Sequence, residues 1–309
     1  MIYTVSANPA LDLTLTVPAI EFDTVLRAYE VRRECAGKAF NVSRFLQAMG
    51  VANLAMAFAG GYTGQFLEEC LHKAGVATDF VYVEGETRTN VVIQEPEARR
   101  HVKVNQPGAA VTPADVAAFT ARTSARAAPG DIWILTGSLA PGMQVDFYAG
   151  LGALLQAQGA LVVLDSSGPA LRAGCTARPR LVKPNLVEAA EFTGRPIQSL
   201  AEAAEAAGAF LEAGAQTVVL SMGKDGALVA GEAGIWHLVP PSIQAQTAVG
   251  AGDALVSGAV WALAQGMSDV EVGRWGVAVG TVTARRDDLP AGAWDELNAM
   301  HRQVQVEPL

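Results

Sequence analysis

The chain has 309 residues, a formal net charge of −9, and 50% hydrophobic residues. A chain of this length and composition can bury a large core, which excludes disorder and fits one large α/β domain with a small appendage. Its acidity excludes a general nucleic-acid binder, because a phosphate backbone requires a basic surface. An anionic small molecule remains a candidate ligand if the cations are gathered locally.

The cysteines and the N-terminus indicate where the protein works. Cys35, Cys70 and Cys175 are far apart and show no CxxC or CxxH spacing, so reduced thiols are expected rather than a metal site. The N-terminal segment lacks the basic and apolar regions of a signal peptide. No uncharged apolar stretch approaches the length of about 18 residues that spans a membrane. We therefore expect a cytoplasmic protein without membrane or nucleic-acid partners.

Short apolar runs alternate with alanine-rich helical patterns along most of the chain. In chain order, strands are predicted at residues 2–6, 53–58, 131–136, 160–165, 180–183 and 216–221. Helices are predicted at about 40–49, 64–74, 113–126, 144–157, 185–193 and 199–213. Most of these strands are apolar throughout, so both of their faces should be buried. The alternation predicts an α/β fold with a mostly parallel central sheet flanked by helices.

Residues 13–35 and 87–104 interrupt this rhythm, because strand patterns occur there with no helix between them. In the second region, the runs TNVVIQE and RHVKV predict a hairpin around Pro96. We expect the two regions to form a small sheet that projects as a lid from a single domain covering residues 1–309. From Gly250 to about Arg302 the pattern is mainly helical.

Polar or glycine residues follow the predicted strands where each strand ends. They are Asn8, Gly60, Gly61, Gly137, Ser138, Asp165, Ser166, Ser167, Asn185 and Gly223. Open α/β sheets bind ligands outside the carboxyl ends of their strands. The sequence therefore predicts a ligand site along this edge of the sheet.

The segment 247–254 (TAVGAGDA) precedes a run with helical periodicity. Gly250, Ala251 and Gly252 are small enough for backbone N–H groups to approach an anion at the start of the helix. Asp253 in that first turn is a candidate base for an attacking hydroxyl, while the amides hold phosphoryl oxygens. The simpler alternative is a helix start with a capping aspartate.

The segment TAVGAGDALVSG resembles the C-terminal signature of the ribokinase/phosphofructokinase B family of carbohydrate kinases. Residues 36–43 (AGKAFNVS) resemble the N-terminal signature, with Ala36 and Ala39 in place of glycines. Segments 8–12, 137–142, 183–188 and 221–226 match in the same order, so the resemblance covers essentially the whole chain. It implies a ribokinase-like fold and a kinase that uses ATP and Mg²⁺.

The resemblance assigns a role to each matching residue. It implies that Asp253 deprotonates the acceptor hydroxyl and that the backbone of 250–253 forms the anion hole. Asn185 and Glu188 would organise Mg²⁺ and phosphate through water, although Glu188 also fits a solvated acid on a helix face. The residues implied to border the nucleotide are Lys183, Ser221, Gly223 and Gly226.

The resemblance also implies that the sugar, which accepts the phosphoryl group, is contacted by Asp12, Gly37, Asn41 and Ser138. Asp12 also fits a turn-stabilising residue after Asn8-Pro9. Cations accompany these segments: Lys38 lies in the N-terminal signature, and Arg27, Arg88 and Lys103 fall on the predicted projecting strands. In an acidic chain this spacing indicates a phosphate on the sugar, with solvated edge charges as the alternative.

Further segments resemble the branch that contains 1-phosphofructokinase and tagatose-6-phosphate kinase. They are 8–12, 105–108, 165–168 and 249–253, with Gln106 where an acid is frequent and Val249 where ribokinases more often have Thr. The expected reaction is phosphorylation of a ketohexose phosphate to a bisphosphate. A kinase for an unphosphorylated sugar or nucleoside, and a catalytically silent sugar-phosphate sensor, remain alternatives. The exposed edges of the projecting sheet favour a homodimer formed through it.

Overall fold

The computed structural model describes residues 1–246, 249–286 and 288–309, and the side chain of Ala36 is also outside the description. The strands are β1 (Ile2–Ser6), β2 (Ala10–Thr16), β3 (Glu30–Ala36), β4 (Asn53–Ala59), β5 (Ala77–Tyr82), β6 (Arg88–Glu95), β7 (Arg100–Asn105), β8 (Ile132–Thr136), β9 (Leu161–Asp165), β10 (Leu181–Val182), β11 (Val218–Ser221), β12 (Ala227–Gly231), β13 (Gly234–Val239) and β14 (Gln305–Pro308). The helices are α1 (Lys38–Ala48), α2 (Gly61–Lys73), α3 (Pro113–Arg126), α4 (Phe147–Ala157), α5 (Gly168–Cys175), α6 (Leu186–Thr193), α7 (Leu200–Glu212), α8 (Ala251–Ala264), α9 (Asp269–Arg286) and α10 (Trp294–Gln303).

Ten strands form the central sheet, in the order β14-β13-β12-β11-β10-β9-β8-β1-β4-β5. The pairs from β5 to β11 are parallel, and the three pairs from β11 to β14 are antiparallel. Neighbouring residues of β8 belong to opposite layers of the core: Trp133 packs with the cluster around α3 to α7, and Ile134 with the cluster around α8 and α9. The expected mostly parallel sheet covered by helices on both faces is confirmed.

Local chemistry sets several of the predicted helix boundaries. Helix α3 begins after Thr112, whose hydroxyl accepts from the backbone N–H of Asp115 while the Asp115 carboxylate accepts from Thr112 N. This reciprocal capping explains why the predicted range 113–126 is correct. The sequence missed α5 and the strands β5, β12, β13 and β14, which are short or lack a continuous apolar run.

A second sheet contains four strands in the order β3-β2-β6-β7. The predicted hairpin around Pro96 is confirmed by the antiparallel pairing of β6 and β7. The predicted strand region 13–35 contains the end of β2 and nearly all of β3, and residues 17–29 form an irregular connection between them. That connection contains Pro18 and a positive φ of 58° at Asp23, both unfavourable within a sheet.

The faces of the second sheet differ in their surroundings. On one face, Cys35 and Leu11 pack against α2, and the Cys35 thiol donates to Leu67 O at 3.6 Å. Side chains alternate along a strand, so Asp12 lies on the opposite face. β1 leads into β2 through residues 7–9, so the sheet begins at the carboxyl ends of the central strands. Among the described residues, no helix is long and apolar enough to cross a membrane.

Candidate active site

Side chains from the ends of three neighbouring central strands meet in one buried cluster. Asp165 ends β9 and is fully buried, and its Oδ1 lies 2.9 Å from Lys38 Nζ and 3.3 Å from Lys183 Nζ. Thr136, at the end of β8, donates to Asp165 Oδ2 at 3.5 Å. The carboxyl ends of parallel strands share one edge of the sheet, which explains why these residues meet.

Glu188 extends this cluster from the first turn of α6. Its Oε1 lies 3.4 Å from Lys38 Nζ, and its Oε2 accepts from Asn185 N at 2.9 Å. Asn185 Oδ1 accepts from Glu188 N at 2.9 Å, so the two residues form a reciprocal cap. Burial acts to lower the pKa of Lys38, but the charges of Asp165 and Glu188 outweigh it and raise that pKa, so Lys38 stays charged.

The N-terminus of α8 faces this cluster. Gly250 is the N-cap residue, with a left-handed φ of 76°, and it has no side chain with which to cap the helix. A Cβ placed on Gly252 would lie 3.9 Å from Lys183 Nζ, so the first turn of α8 lies close to a buried cation. Backbone N–H groups at a helix start favour an anion, and Lys183 adds positive charge beside them. Thr247 and Ala248 of the predicted motif lie outside the described residues.

Asp253 lies in that first turn, and Asn41 Nδ2 of α1 donates to its Oδ2 at 2.7 Å. This bond joins the two signature segments across 212 positions of the chain. Burial, followed by the charge of Asp165, raises the pKa of Asp253 to about 6, while Asn41, Lys38 and Lys183 oppose the rise. Such a carboxylate can be ionised near neutral pH and still accept a proton, as a general base requires.

A second set of polar residues lies where the two sheets meet. Arg88, the first residue of β6, donates from Nη2 to Asn8 O at 2.9 Å and to Ser138 Oγ at 3.5 Å. Asp12 of β2 accepts from Asn90 Nδ2 at 2.8 Å. The guanidinium and the carboxylate therefore occupy the same face of the second sheet, beside the ends of the central strands.

Gly37 is the residue that lets the chain turn into α1 at this place. It has a φ of 113°, a conformation that side chains disfavour. A Cβ at this position would lie 3.7 Å from Ala10 N and 3.7 Å from Pro9 Cα. These are ordinary van der Waals distances, so the positive φ rather than a lack of space calls for glycine, and this turn places Lys38 and Asn41 in the site.

A profile of the pfkB family carbohydrate kinases matches residues 6–292, which is most of the chain. The chain belongs to the pfkB family of carbohydrate kinases. This finding confirms the resemblance of both signatures and identifies the buried cluster as part of a sugar kinase.

Relatives of this kinase match it over nearly their whole length. The 1-phosphofructokinase of Rhodobacter capsulatus is 35% identical over 311 residues, covering 100% of this chain and 98% of that protein. The 1-phosphofructokinase of Vibrio cholerae is 32% identical, covering 100% and 97%. Phosphofructokinase-2 from Escherichia coli in complex with fructose-6-phosphate superposes with a TM-score of 0.89 at 30% identity, covering 97% of this chain and 98% of that one.

The structure brings several of the predicted site residues of this kinase together. Lys38 and Lys183 contact Asp165, Glu188 contacts Lys38, and Asn41 contacts Asp253. The side chain of Glu188 is buried, so the alternative of a solvated acid on a helix face is wrong. The reciprocal cap also shows how Asn185 is held at the start of α6.

Three of the predicted nucleotide residues, Ser221, Gly223 and Gly226, lie at or just after the end of β11. Ser221 pairs with Asn185 in a parallel bridge, and its hydroxyl donates to Pro184 O at 3.3 Å. Gly223 has a positive φ of 62° with open space around it. Gly226 differs, because a Cβ there would lie 1.9 Å from Leu238 O, so its position depends on close packing against β13.

Two of the predicted phosphate contacts lie apart from the cluster. Arg27 was predicted on a projecting strand, and this was wrong. It lies exposed in the irregular connection of residues 17–29. Lys103 is exposed on β7, opposite Val92 and on the same face as Asp12. No ion pair to another described residue is found for either side chain. Their role in binding stays a prediction.

Asp165 is the central residue of the cluster, and the sequence placed it only among the polar residues at the strand ends, without a specific role. It ends the apolar run LVVLD, so its place at a strand end was a usable signal. Its ion pairs with Lys38 and Lys183 join residues that are distant in the sequence, so only the tertiary structure could reveal them.

Proposed function

We propose that this kinase transfers the γ-phosphoryl group of ATP to a hydroxyl of fructose 1-phosphate, giving fructose 1,6-bisphosphate and ADP. The observation that carries the proposal is Asp253, a buried carboxylate in the first turn of α8, held by Asn41 and beside Lys183. The full-length relatives that are named 1-phosphofructokinase support the choice of substrate.

In this reaction the hydroxyl oxygen forms a bond to the γ-phosphorus as the bond from phosphorus to the ADP oxygen breaks. Asp253 accepts the hydroxyl proton, and Asn41 holds the carboxylate in place. The N–H groups of Gly250, Ala251 and Gly252 stabilise the charge on the phosphoryl oxygens. Lys38 and Lys183 add positive charge, and Asp165 keeps both side chains extended towards the site.

Among the described residues, no group of three or more His, Cys, Asp or Glu side chains is arranged to hold a metal ion. Glu188 and Asn185 nevertheless fit Mg²⁺, which needs few protein ligands. Mg²⁺ keeps several waters and usually takes only one or two protein carboxylates together with substrate phosphates. Glu188 is the carboxylate we assign, with Asn185 acting through water. The ion would supply charge neutralisation on the phosphates.

The sugar phosphate would lie between the second sheet and the ends of the central strands. Arg88 is placed to pair with its phosphate, and Asp12, Gly37, Asn41 and Ser138 to contact its hydroxyls. Lys103 and Arg27 would join the phosphate if the second sheet closes as a lid over the sugar. Such closure would exclude water, the competing acceptor of the phosphoryl group.

We further propose that two copies pair through the second sheet. Val31, Leu15, Ile93 and Val102 lie opposite one another in one row across all four strands, on the face away from Asp12. Val31, Val102 and Val104 on this face are exposed, and β3 and β7 present edges that can pair. Sedimentation of Val104→Glu against the unchanged chain tests this: a lighter species supports the homodimer, and equal masses contradict it.

A screen of ADP release tests the reaction. Purified protein is offered ATP and Mg²⁺ with fructose 1-phosphate, tagatose 6-phosphate, fructose 6-phosphate, free fructose, ribose or adenosine. We expect fructose 1-phosphate to give the highest kcat/KM, and Arg88→Ala to lower it strongly. Preference for an unphosphorylated acceptor, with no effect of Arg88→Ala, would refute the assignment. Binding of a sugar phosphate without any ADP release would indicate a sensor instead.

The proposed use of ATP and of a phosphorylated sugar, together with the free thiols, favours the cytoplasm as the location of this kinase.

A further inference from the structure

A polar row crosses the second sheet on the face that carries Asp12. In the strand register, Asp12 lies opposite Glu34 on one side and opposite Asn90 on the other, and Asn90 in turn lies opposite Asn105. Asp12 and Glu34 lie directly opposite on antiparallel strands, where Cβ atoms are about 4.5–5.5 Å apart. Asn90, on the parallel neighbour, is joined to Asp12 by a hydrogen bond, so the two can act on one ligand. Arg88 lies on the same face, two residues before Asn90.

Asn90 is more than nine-tenths buried, with an exposed fraction of 9%. Its Nδ2 donates to Asp12 Oδ1 at 2.8 Å. An ionised carboxylate can only accept hydrogen bonds, so the amide nitrogen must be the atom that faces Asp12. The amide oxygen therefore points elsewhere and remains available as an acceptor.

That oxygen, Asn90 Oδ1, is buried and has no hydrogen-bond partner in the part of the chain that the structure describes. An unpaired buried acceptor is unfavourable, and such groups in native proteins call for an explanation. Arg88 Nε, a donor on the same face of β6, is also buried and without a partner. One strand thus presents an unpaired donor and an unpaired acceptor two residues apart.

A hydroxyl group can satisfy both kinds of demand, because it donates one hydrogen and accepts others. We propose that Asn90 is a sugar-recognition residue: its Nδ2 orients Asp12, and its Oδ1 accepts the hydrogen of a substrate hydroxyl. Asp12 and Asn90 then contact two hydroxyls of the same sugar from neighbouring strands. Both unpaired atoms are covered by protein atoms, so the sugar reaches them through a shift of the second sheet or of the adjacent side chains.

This inference rests on the proposed sugar-phosphate kinase activity and adds the residue that selects among its sugars. A site that hydrogen-bonds a hydroxyl discriminates strongly against an analogue that lacks it, because its polar groups are then left unpaired. Asn90 would therefore contribute to the choice among sugar phosphates that differ at one hydroxyl.

The test compares Asn90→Leu, which has a similar volume and no hydrogen-bonding group, with Gln94→Leu as a matched control. Gln94 lies on the same strand and the same face, and its Nε2 donates to Thr16 Oγ1 at 3.1 Å, away from Asp12. Each protein is assayed with fructose 1-phosphate and with analogues that lack the hydroxyl at one carbon at a time. Calorimetric binding of each sugar phosphate in the absence of ATP provides a readout independent of turnover.

We expect Asn90→Leu to raise the KM and the Kd for fructose 1-phosphate by about tenfold or more, the effect of one lost hydrogen bond. The KM for ATP should stay within about twofold, as expected for a group far from the nucleotide. The penalty should vanish for the one analogue that lacks the hydroxyl bound by Asn90, and Gln94→Leu should show no such dependence.

An equal penalty on every analogue, or the same penalty in Gln94→Leu, would overturn the inference and leave Asn90 a structural residue. If Asn90→Leu fails to fold, Asn90→Asp gives the answer, because it keeps an acceptor but places a second carboxylate beside Asp12. Asn90→Asp should weaken sugar binding, and unchanged binding would overturn the inference. Absence of turnover and binding of fructose 1-phosphate by the unchanged kinase would instead refute the proposed function.

Discussion

The substitution Asp253→Asn should make this kinase both slower and more stable. The side chain of Asp253 is buried, and its pKa rises from an ordinary value of 3.8 to about 6, mainly through burial and then through the charge of Asp165. A pKa raised by folding means that the folded state prefers the protonated carboxyl group. Folding stability therefore falls as pH rises from the unfolded pKa to the folded one, and the whole cost is present above about pH 6.

The size of that cost follows from the shift. One pKa unit corresponds to about 1.36 kcal/mol, so the rise to about 6 amounts to at most about 3 kcal/mol at pH 8. An asparagine has nearly the same shape and carries no charge, and its Oδ1 still accepts from Asn41. Asp253→Asn should therefore recover up to about 3 kcal/mol at pH 8 and only a small part of that near pH 4.

Urea denaturation of both proteins at pH 8 and pH 4 measures this difference, and Asp146→Asn provides a control at an exposed carboxylate. The control should change the free energy of unfolding by less than about 0.5 kcal/mol at either pH. In parallel, kcat should fall by about 10²–10⁴ through loss of the general base. Equal stability gains at both pH values, or near-normal turnover, would refute the reasoning.

Three further predictions use the same structure. As pH falls below about 6, kcat/KM should decrease about tenfold per unit, because Asp253 becomes protonated; a flat profile down to pH 5 would exclude it as the base. Glu188→Gln should raise the Mg²⁺ concentration needed for half-maximal activity by about 10-fold or more, measured by Mg²⁺ titration, and an unchanged requirement would contradict our metal assignment. Gly226→Ala should lower the melting temperature, because its φ is 84° and a Cβ would lie 1.9 Å from Leu238 O, whereas Gly208→Ala in α7, with nothing within 4 Å, should raise it.

The sequence was sufficient where a feature depends on neighbours in the chain. The capping pair Thr112 and Asp115 sets the start of α3, and the apolar runs set the buried strands. The small residues before Asp253 predict a helix start that binds an anion, and α8 begins there. These signals operate within a few residues, so no tertiary information is needed to find them.

Other elements escaped sequence reasoning because their stability comes from partners distant in the chain. β14 has only four residues, all exposed, and is a strand because it pairs with β13 at the edge of the sheet. Residues 17–29 have strand-like composition in places, yet they form an irregular connection that leaves Arg27 off the sheet. Pairing rather than propensity determines such segments.

By itself, the sequence determined the α/β class and the family, through patterns and motifs that are each local in the chain. It also determined Asp253 with the glycine turn beside it, which lie in one contiguous segment. Only the tertiary structure decided that Asp165 joins Lys38 to Lys183, that Asn41 holds Asp253, and that Asn90 holds Asp12 with its own oxygen unpaired. The physical reason is that a hydrogen bond or an ion pair depends on distance in space. Strand order and register set that distance, and they are fixed only when the whole chain packs.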